Sequence, residues 1–117
     1  MGRFRFEDLE IWQEASRLGD VLDELSGELE QQRKYRYCEQ LRGAALSVSN
    51  NIAEGSGSSS AKDFKNFLNI ARRSVFENAN MLLFFARKGL VDANIADQLL
   101  EDHRILSARI KKFASTL

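Results

Sequence analysis

The sequence contains no proline, one cysteine and one histidine, and each of these low counts excludes a type of structure or site. Without proline no helix loses a backbone donor, so long unbroken helices are allowed. The lone Cys38 cannot form an internal disulfide, and its apolar neighbours favour a buried, unreactive thiol. The lone His103 cannot close a metal site with scattered carboxylates, and no Glu-x-x-His pair occurs. We therefore expect no metal, no cofactor and no catalytic residues, and we interpret the chain as a binding protein rather than an enzyme.

Long apolar runs are missing as well. No stretch approaches the roughly 20 apolar residues that a membrane span requires, and the opening residues lack the apolar core of a signal peptide. Hydrophobic residues make up 44% of the chain and charged residues 29%, as in ordinary globular domains. We expect a single cytoplasmic domain over residues 1–117 that makes no contact with a membrane.

The formal net charge is zero, but the charges are unevenly distributed. Nine acids accompany one arginine between Phe6 and Gln32, whereas fourteen Lys and Arg accompany eight acids from Arg33 onward. Two interpretations stay open. The acidic segment complements its basic neighbours within the fold, or the basic remainder attracts an anionic partner.

Four segments repeat apolar residues at alternating steps of three and four, which predicts helices over about 7–29, 35–54, 60–88 and 92–115. The four apolar stripes are Ile11, Ala15, Leu18, Leu22, Leu25 and Leu29; Cys38, Leu41, Ala45, Val48 and Ile52; Phe64, Leu68, Ala71, Val75, Leu82 and Ala86; and Ile95, Leu99, Leu106, Ile110 and Phe113. Gly55 and Gly89 are interpreted as helix-ending residues, and Ser60 (with Asp63) and Asp92 as N-caps. Because the connections are short, we predict an all-α, antiparallel, up-down-up-down four-helix bundle.

Two features resemble functional sites but have simpler interpretations. His103 lies on the fourth apolar stripe, where a hydrogen-bonded core or boundary histidine is the usual explanation. The Gly-Ser loop at 55–60 resembles a phosphate cradle, but it lacks the lysine and the third glycine of the known motifs. We therefore favour a flexible turn.

A second stripe on helix two is small or polar, and we expect it to face similar residues on helix three. Its members are Gln40, Ala44, Ser47, Asn51 and Glu54, with Ser74 and Glu77 on helix three. Such a seam usually fixes the pairing of helices. We predict a buried structural network of Gln40, Ser47, Asn51, Glu54, Ser74 and Glu77.

Helix three also carries a basic stripe that could follow a phosphate backbone. Its cations are Lys62, Lys65, Arg72 and Arg73, and helix four adds Arg104, Arg109, Lys111 and Lys112. We therefore predict, as one alternative, binding of RNA or another nucleic acid through the four cations of helix three. The other alternative is an oligomeric scaffold that binds a protein partner without nucleic acid.

Helix three contains six consecutive apolar residues, Met81–Ala86, which point around the whole helix circumference. One bundle core can bury only one side, so Leu83, together with Phe76 two turns earlier, would leave an apolar patch in water. We predict that this patch is a homo-oligomer interface. The local alternative is that the end of helix four, or Phe4 and Phe6, covers it.

The chain resembles the four-helix bundle proteins encoded within intervening sequences of bacterial 23S ribosomal RNA genes. The resemblance rests on Phe6, Asp8, Leu9, Trp12 and Ala15; on Gln40–Arg42, Ala45, Ser47 and Asn51–Gly55; and on Asp63, Phe64, Phe67, Leu68, Ala71, Arg72, Ser74 and Glu77. The chain departs from that pattern at Gly43 and Ser58, where the family often carries basic residues, and at Arg73, where glycine is common.

The resemblance implies a homo-oligomer, namely a pentameric, barrel-like assembly. It also implies an association with nucleic acid, since similar accessory proteins of diversity-generating retroelements bind nucleic acid and a reverse transcriptase. It does not imply an enzyme.

Overall fold

The computed structural model describes residues 2–117 and has four long helices: α1 (Glu10–Gln31), α2 (Tyr35–Ser56), α3 (Ala61–Arg87) and α4 (Ala93–Ala114). The predicted all-α four-helix bundle is confirmed. α1 begins at Glu10 rather than near residue 7, because Leu9 is extended and a short 3₁₀ helix, Arg5–Asp8, precedes it. Among residues 2–117, no helix has the length and apolarity needed to cross a membrane.

Consecutive helices run antiparallel, as contacts between their opposite ends show. Tyr37 near the start of α2 lies 5.3 Å, between ring centroids, from Phe85 near the end of α3. Phe64 at the start of α3 lies 5.6 Å from Phe113 at the end of α4. The diagonal pairs α1 with α3 and α2 with α4 have no Cα atoms within 8 Å of each other. Each helix therefore packs on two neighbours, and α1 and α3 stand at opposite corners.

The core consists largely of the predicted stripes. Every predicted residue of α1 and α2 is buried, and in α3 only Ala86, near the helix end, is partly exposed. The prediction is wrong at Ile95, which is 48% exposed, while the adjacent Ala96 is fully buried. Ala96 lies three residues before Leu99 and seven before His103, in phase with the core face, whereas Ile95 is rotated by about 100° from Ala96.

Two of the three connections use a residue with positive φ to end a helix. Gly89 has a φ of 74°, and Leu90 N–H donates to the Phe85 carbonyl at 2.9 Å. Arg33 has a φ of 63°, and Lys34 N–H donates to the Leu29 carbonyl at 2.8 Å. Both arrangements are Schellman motifs, which satisfy carbonyls that the helix end leaves free.

The predicted N-caps are present at the starts of α3 and α4. Asp63 N–H donates to Ser60 Oγ at 3.1 Å, and Asp92 Oδ1 accepts from the backbone of Asn94 and Ile95. Each cap satisfies amide groups that the first helical turn cannot pair.

Gly55 does not end α2, contrary to the sequence-based prediction. It lies inside the helix, which continues to Ser56, and it is buried where α2 packs on α3. A Cβ atom at this position would lie 2.7 Å from Phe67 Cβ and 2.8 Å from Phe64 Cδ1. Glycine is needed because the end of α2 and the start of α3 approach each other closely.

Candidate functional site

The predicted cations of α3 lie on one side of the helix, in its N-terminal half. Lys62, Lys65 and Arg73 are exposed, and Arg72 is half-buried. Among residues 2–117, these four side chains make no ion pair, and Arg17, Arg42 and Arg104 are the only lysines or arginines that do. Their positive charge is therefore available to a partner.

Arg72 has one further feature that the sequence does not indicate. Its Nε atom is buried and has no hydrogen-bond partner among residues 2–117. Arg72 lines an open hollow of about 460 Å³ together with Asn69, Arg73, Phe76, Glu77 and Asn80. This hollow thus combines an aromatic ring, two amides, two guanidinium groups and one carboxylate at the middle of α3.

Phe76 and Leu83 are 63% and 57% exposed, as the helical phase predicts. The neighbouring apolar residues of α3 are covered within the chain. Leu82 and Phe85 are buried, and Tyr37 packs on the half-buried Phe84 with ring centroids 5.8 Å apart.

The alternative to an interface, local cover of Phe76 and Leu83 by Phe4, Phe6 or the end of helix four, does not form. Phe4 stacks on Phe6, and Phe6 packs on Trp12 with ring centroids 5.0 Å apart, so both phenylalanines lie beside the start of α1. The end of α4 packs Phe113 against Phe64 at the other end of α3. The C-terminal half of α3 therefore exposes an apolar patch directly beside the basic N-terminal half.

The cations of α4 do not form one surface with those of α3. Arg104 lines a groove with Phe76 and Leu100, but Glu101 pairs with it at 2.6 Å. Arg109 lies on another side of the bundle, where it lines a hollow with Asp8 and Glu10. Lys111 and Lys112 are exposed at the end of α4. The binding surface considered below is therefore the exposed face of α3, formed by Lys62, Lys65, Asn69, Arg72, Arg73, Phe76 and Leu83.

The predicted polar network between α2 and α3 is smaller than expected. Ser47 Oγ lies 2.8 Å from Ser74 Oγ, and Asn51 Nδ2 donates to the carbonyl and the hydroxyl of Ser47 at 2.7 and 3.0 Å.

The prediction of burial is wrong for Gln40, Glu54 and Glu77, which are exposed and make no side-chain hydrogen bond within residues 2–117. Glu77 follows Ser74 by three residues, which places it about 60° farther around α3 and toward solvent. Sequence reasoning also missed Asn78, which is buried in α3 with Oδ1 unpartnered among the described residues.

His103 is a buried histidine of α4, as predicted. Its Nδ1 lies 2.7 Å from the Leu99 carbonyl. A carbonyl only accepts, so Nδ1 carries the proton in the neutral ring. Burial lowers the pKa of His103 below its ordinary value, because desolvation penalises the charged ring more than the Leu99 hydrogen bond favours it. Among residues 2–117, no group of His, Cys, Asp and Glu side chains could hold a metal ion.

Comparison with known proteins places the fold and the family. A crystal structure at 1.70 Å of a protein of unknown function from Bacteroides thetaiotaomicron VPI-5482, assigned to the S23 ribosomal protein family, is similar to this chain with a TM-score of 0.84. The two sequences are 19% identical, and the match covers 89% of this chain and 97% of the other, which establishes a shared fold. No curated protein matches the sequence. The model of the 23S rRNA-intervening sequence protein family matches residues 7–112, and this chain therefore belongs to that family.

Proposed function

We propose that this protein is a non-catalytic, homo-oligomeric module that binds RNA through the exposed face of α3. The observation that carries the proposal is the group of four cations, Lys62, Lys65, Arg72 and Arg73, which have no ion-pair partner among residues 2–117. Phosphate groups are the ligands that unpaired lysines and arginines in a row fit best. RNA also agrees with the family's description, which refers to 23S rRNA.

Self-assembly is the second part of the proposal, and Phe76 with Leu83 supports it. Two large apolar side chains on one side of a helix lose hydrophobic stabilisation for as long as water covers them. A second copy of the chain could bury them, and the pentameric assembly implied by the family resemblance is the proposed form.

An oligomeric scaffold that binds another protein, without nucleic acid, is the competing function. The same apolar patch favours it, because exposed aromatic side chains flanked by arginines are common at the centres of protein interfaces. The two functions differ in one expectation. If the protein binds RNA, its RNA affinity depends on the four cations, whereas a scaffold that binds only protein has no such dependence.

A salt titration separates the two functions. The affinity for a labelled RNA hairpin with a single-stranded tail is measured for the wild type and for a variant with Lys62, Lys65, Arg72 and Arg73 changed to Gln. If each cation contacts one phosphate, the slope of log affinity against log salt falls by about 3 units in the variant.

The matched control neutralises four exposed cations elsewhere, namely Lys34, Arg36, Arg109 and Lys112. It has the same net charge as the α3 variant and should keep the wild-type slope. The mass of each variant is measured as well, so that lost assembly is not mistaken for lost RNA contacts. Equal slopes for the α3 variant and the wild type would refute RNA binding through this face.

A further inference from the structure

The two most highly charged helices have opposite signs and stand at opposite corners of the bundle. α1 carries seven carboxylates and one arginine, whereas α3 carries five Lys and Arg and two carboxylates. α1 and α3 have no Cα atoms within 8 Å of each other, so the acidic helix does not flank the basic one. The four cations Lys62, Lys65, Arg72 and Arg73 consequently stay unpaired within residues 2–117, as does Asp20 on α1.

The side of the bundle opposite the α3 and α4 pair carries a groove between α1 and α2. This groove has a volume of about 490 Å³, and its acidic residues are Asp20 and Asp23. Gly19 and Ala45 form small parts of its lining, and Leu46 lies beside them with 59% of its surface exposed. Arg42 is the one cation of the lining, and Asp23 and Glu30 neutralise it at 3.1 and 3.4 Å. The groove is thus acidic in balance and partly apolar.

The groove and the apolar patch lie at the same height along the bundle. The hydrogen bond between Ser47 and Ser74 shows that these two residues lie at the same level along the bundle axis. Because α2 and α3 are antiparallel, the residue two positions before Ser47 is level with the residue two positions after Ser74. Ala45 in the groove is therefore level with Phe76 in the patch. Two copies can bring these surfaces together while their bundles stand side by side with parallel axes.

We infer that the α1–α2 groove is the docking site for the exposed face of α3 of a second copy of this chain. Phe76 of one copy packs against Leu46, Gly19 and Ala45 of the next, and Leu83, about 10 Å farther along α3, extends the contact toward the start of α2. Arg72 and Arg73, which flank Phe76, face the carboxylates of Asp20 and Asp23. Lys62 and Lys65 lie about two to three turns before Arg72, outside the docked patch. In the assembled protein these two cations remain available to RNA, and the salt slope of the four-cation variant then falls by about 1.5 units rather than about 3.

The contact joins two different surfaces, so it is a head-to-tail interface rather than a two-fold one. Head-to-tail contacts generate closed rings when the rotation between copies closes, and open chains when it does not. The inference rests on the proposed self-assembly through α3 and adds the surface that receives it.

A complementation experiment tests the inference with two variants, each of which has lost one of the two docking surfaces. One variant carries Phe76→Glu and Leu83→Glu, which breaks the α3 face but leaves the groove intact. The other carries Asp20→Lys and Leu46→Lys, which breaks the groove but leaves the α3 face intact. All four positions are exposed, so the fold should persist, and far-UV circular dichroism checks that it does. The control is Asp97→Lys with Ile105→Lys, an exposed acid and an exposed isoleucine on α4.

We expect each variant alone to have the mass of one chain. The mixture of the two variants should form a 1:1 complex with twice that mass. The control should keep the wild-type mass. If α3 instead pairs with α3, the groove variant will assemble like the wild type, which would overturn the head-to-tail inference and leave self-assembly through α3 standing. A monomeric wild type would overturn both.

Discussion

Ser47 of α2 and Ser74 of α3 hold these two helices in register, because their hydroxyl oxygens lie 2.8 Å apart and share a hydrogen bond. Asn51 supports this pair from one turn away, because its Nδ2 donates to Ser47 Oγ at 3.0 Å. Ser74 is buried and Ser47 half-buried, so neither hydroxyl can exchange its partner freely for water. The hydrogen bond thereby links the packing of the core to the position of the exposed α3 face.

Loss of either hydroxyl should destabilise the fold. Ser47→Ala leaves the buried Ser74 hydroxyl without this partner, and the free energy of unfolding should fall by about 1 to 2 kcal/mol. The double variant with Ser74→Ala should cost less than the sum of the single variants, because the first change already breaks the pair. Urea unfolding of the four chains measures the coupling. Ser49→Ala is the control, since that hydroxyl bonds only the Leu46 carbonyl of its own helix; strictly additive Ser47 and Ser74 effects would contradict the pairing.

Gly55 and Gly43 should respond in opposite ways to substitution by alanine. At Gly55 the new Cβ meets Phe67 Cβ at 2.7 Å, so overpacking should lower stability by about 1 to 3 kcal/mol. At Gly43, in the exposed middle of α2, nothing lies within 4 Å, and the higher helix propensity of alanine should raise stability by about 0.5 to 1 kcal/mol. Thermal melts of the two variants give the comparison. Stabilisation at both sites would show that α2 and α3 are not in close contact at Gly55.

His103 should make the stability of the protein depend on pH. Folding lowers its pKa below the ordinary value of 6.5, so the unfolded chain binds more protons than the native chain in acid. The stability that the neutral ring contributes is therefore complete above pH 6.5 and decreases as the pH falls below that value. The difference in unfolding free energy between the wild type and His103→Gln should accordingly shrink from pH 7.5 to pH 5. Parallel curves over this range would show that His103 keeps the same pKa in both states.

The fold follows from the sequence to a large extent, because apolar spacing determines which side of each helix is buried. The stripes of α1 and α2 are buried at every predicted position, and the caps at Ser60 and Asp92 form as expected. The errors occur where one residue allows two interpretations. From the sequence, Gly55 is equally consistent with the end of a helix and with a point where two helices approach closely. Only the position of Phe67 in the structure distinguishes these two roles.

The candidate site was harder to predict, because side-chain burial depends on small rotations around a helix. Glu54 and Glu77 continue the polar seam in sequence, yet both reach solvent, so their replacement by alanine should change stability by less than about 0.5 kcal/mol. The exposure of Phe76 and Leu83 was predictable, since six consecutive apolar residues cannot all face one core. The α1–α2 groove was not, because its lining residues become neighbours only when α1 packs on α2.

The most direct test of the account is the mass of the protein in solution, because its central claim is that the exposed face of α3 is an interaction surface. Light scattering coupled to size exclusion, at micromolar concentration, should give several times the 13.3 kDa of one chain, and five times that mass for the proposed pentamer. Phe76→Glu with Leu83→Glu should lower the mass to that of one chain while helicity is retained. Ile95→Glu with Ile105→Glu, which changes two exposed apolar residues of α4, should not. A monomeric wild type, or an α3 variant with the wild-type mass, would contradict the claim.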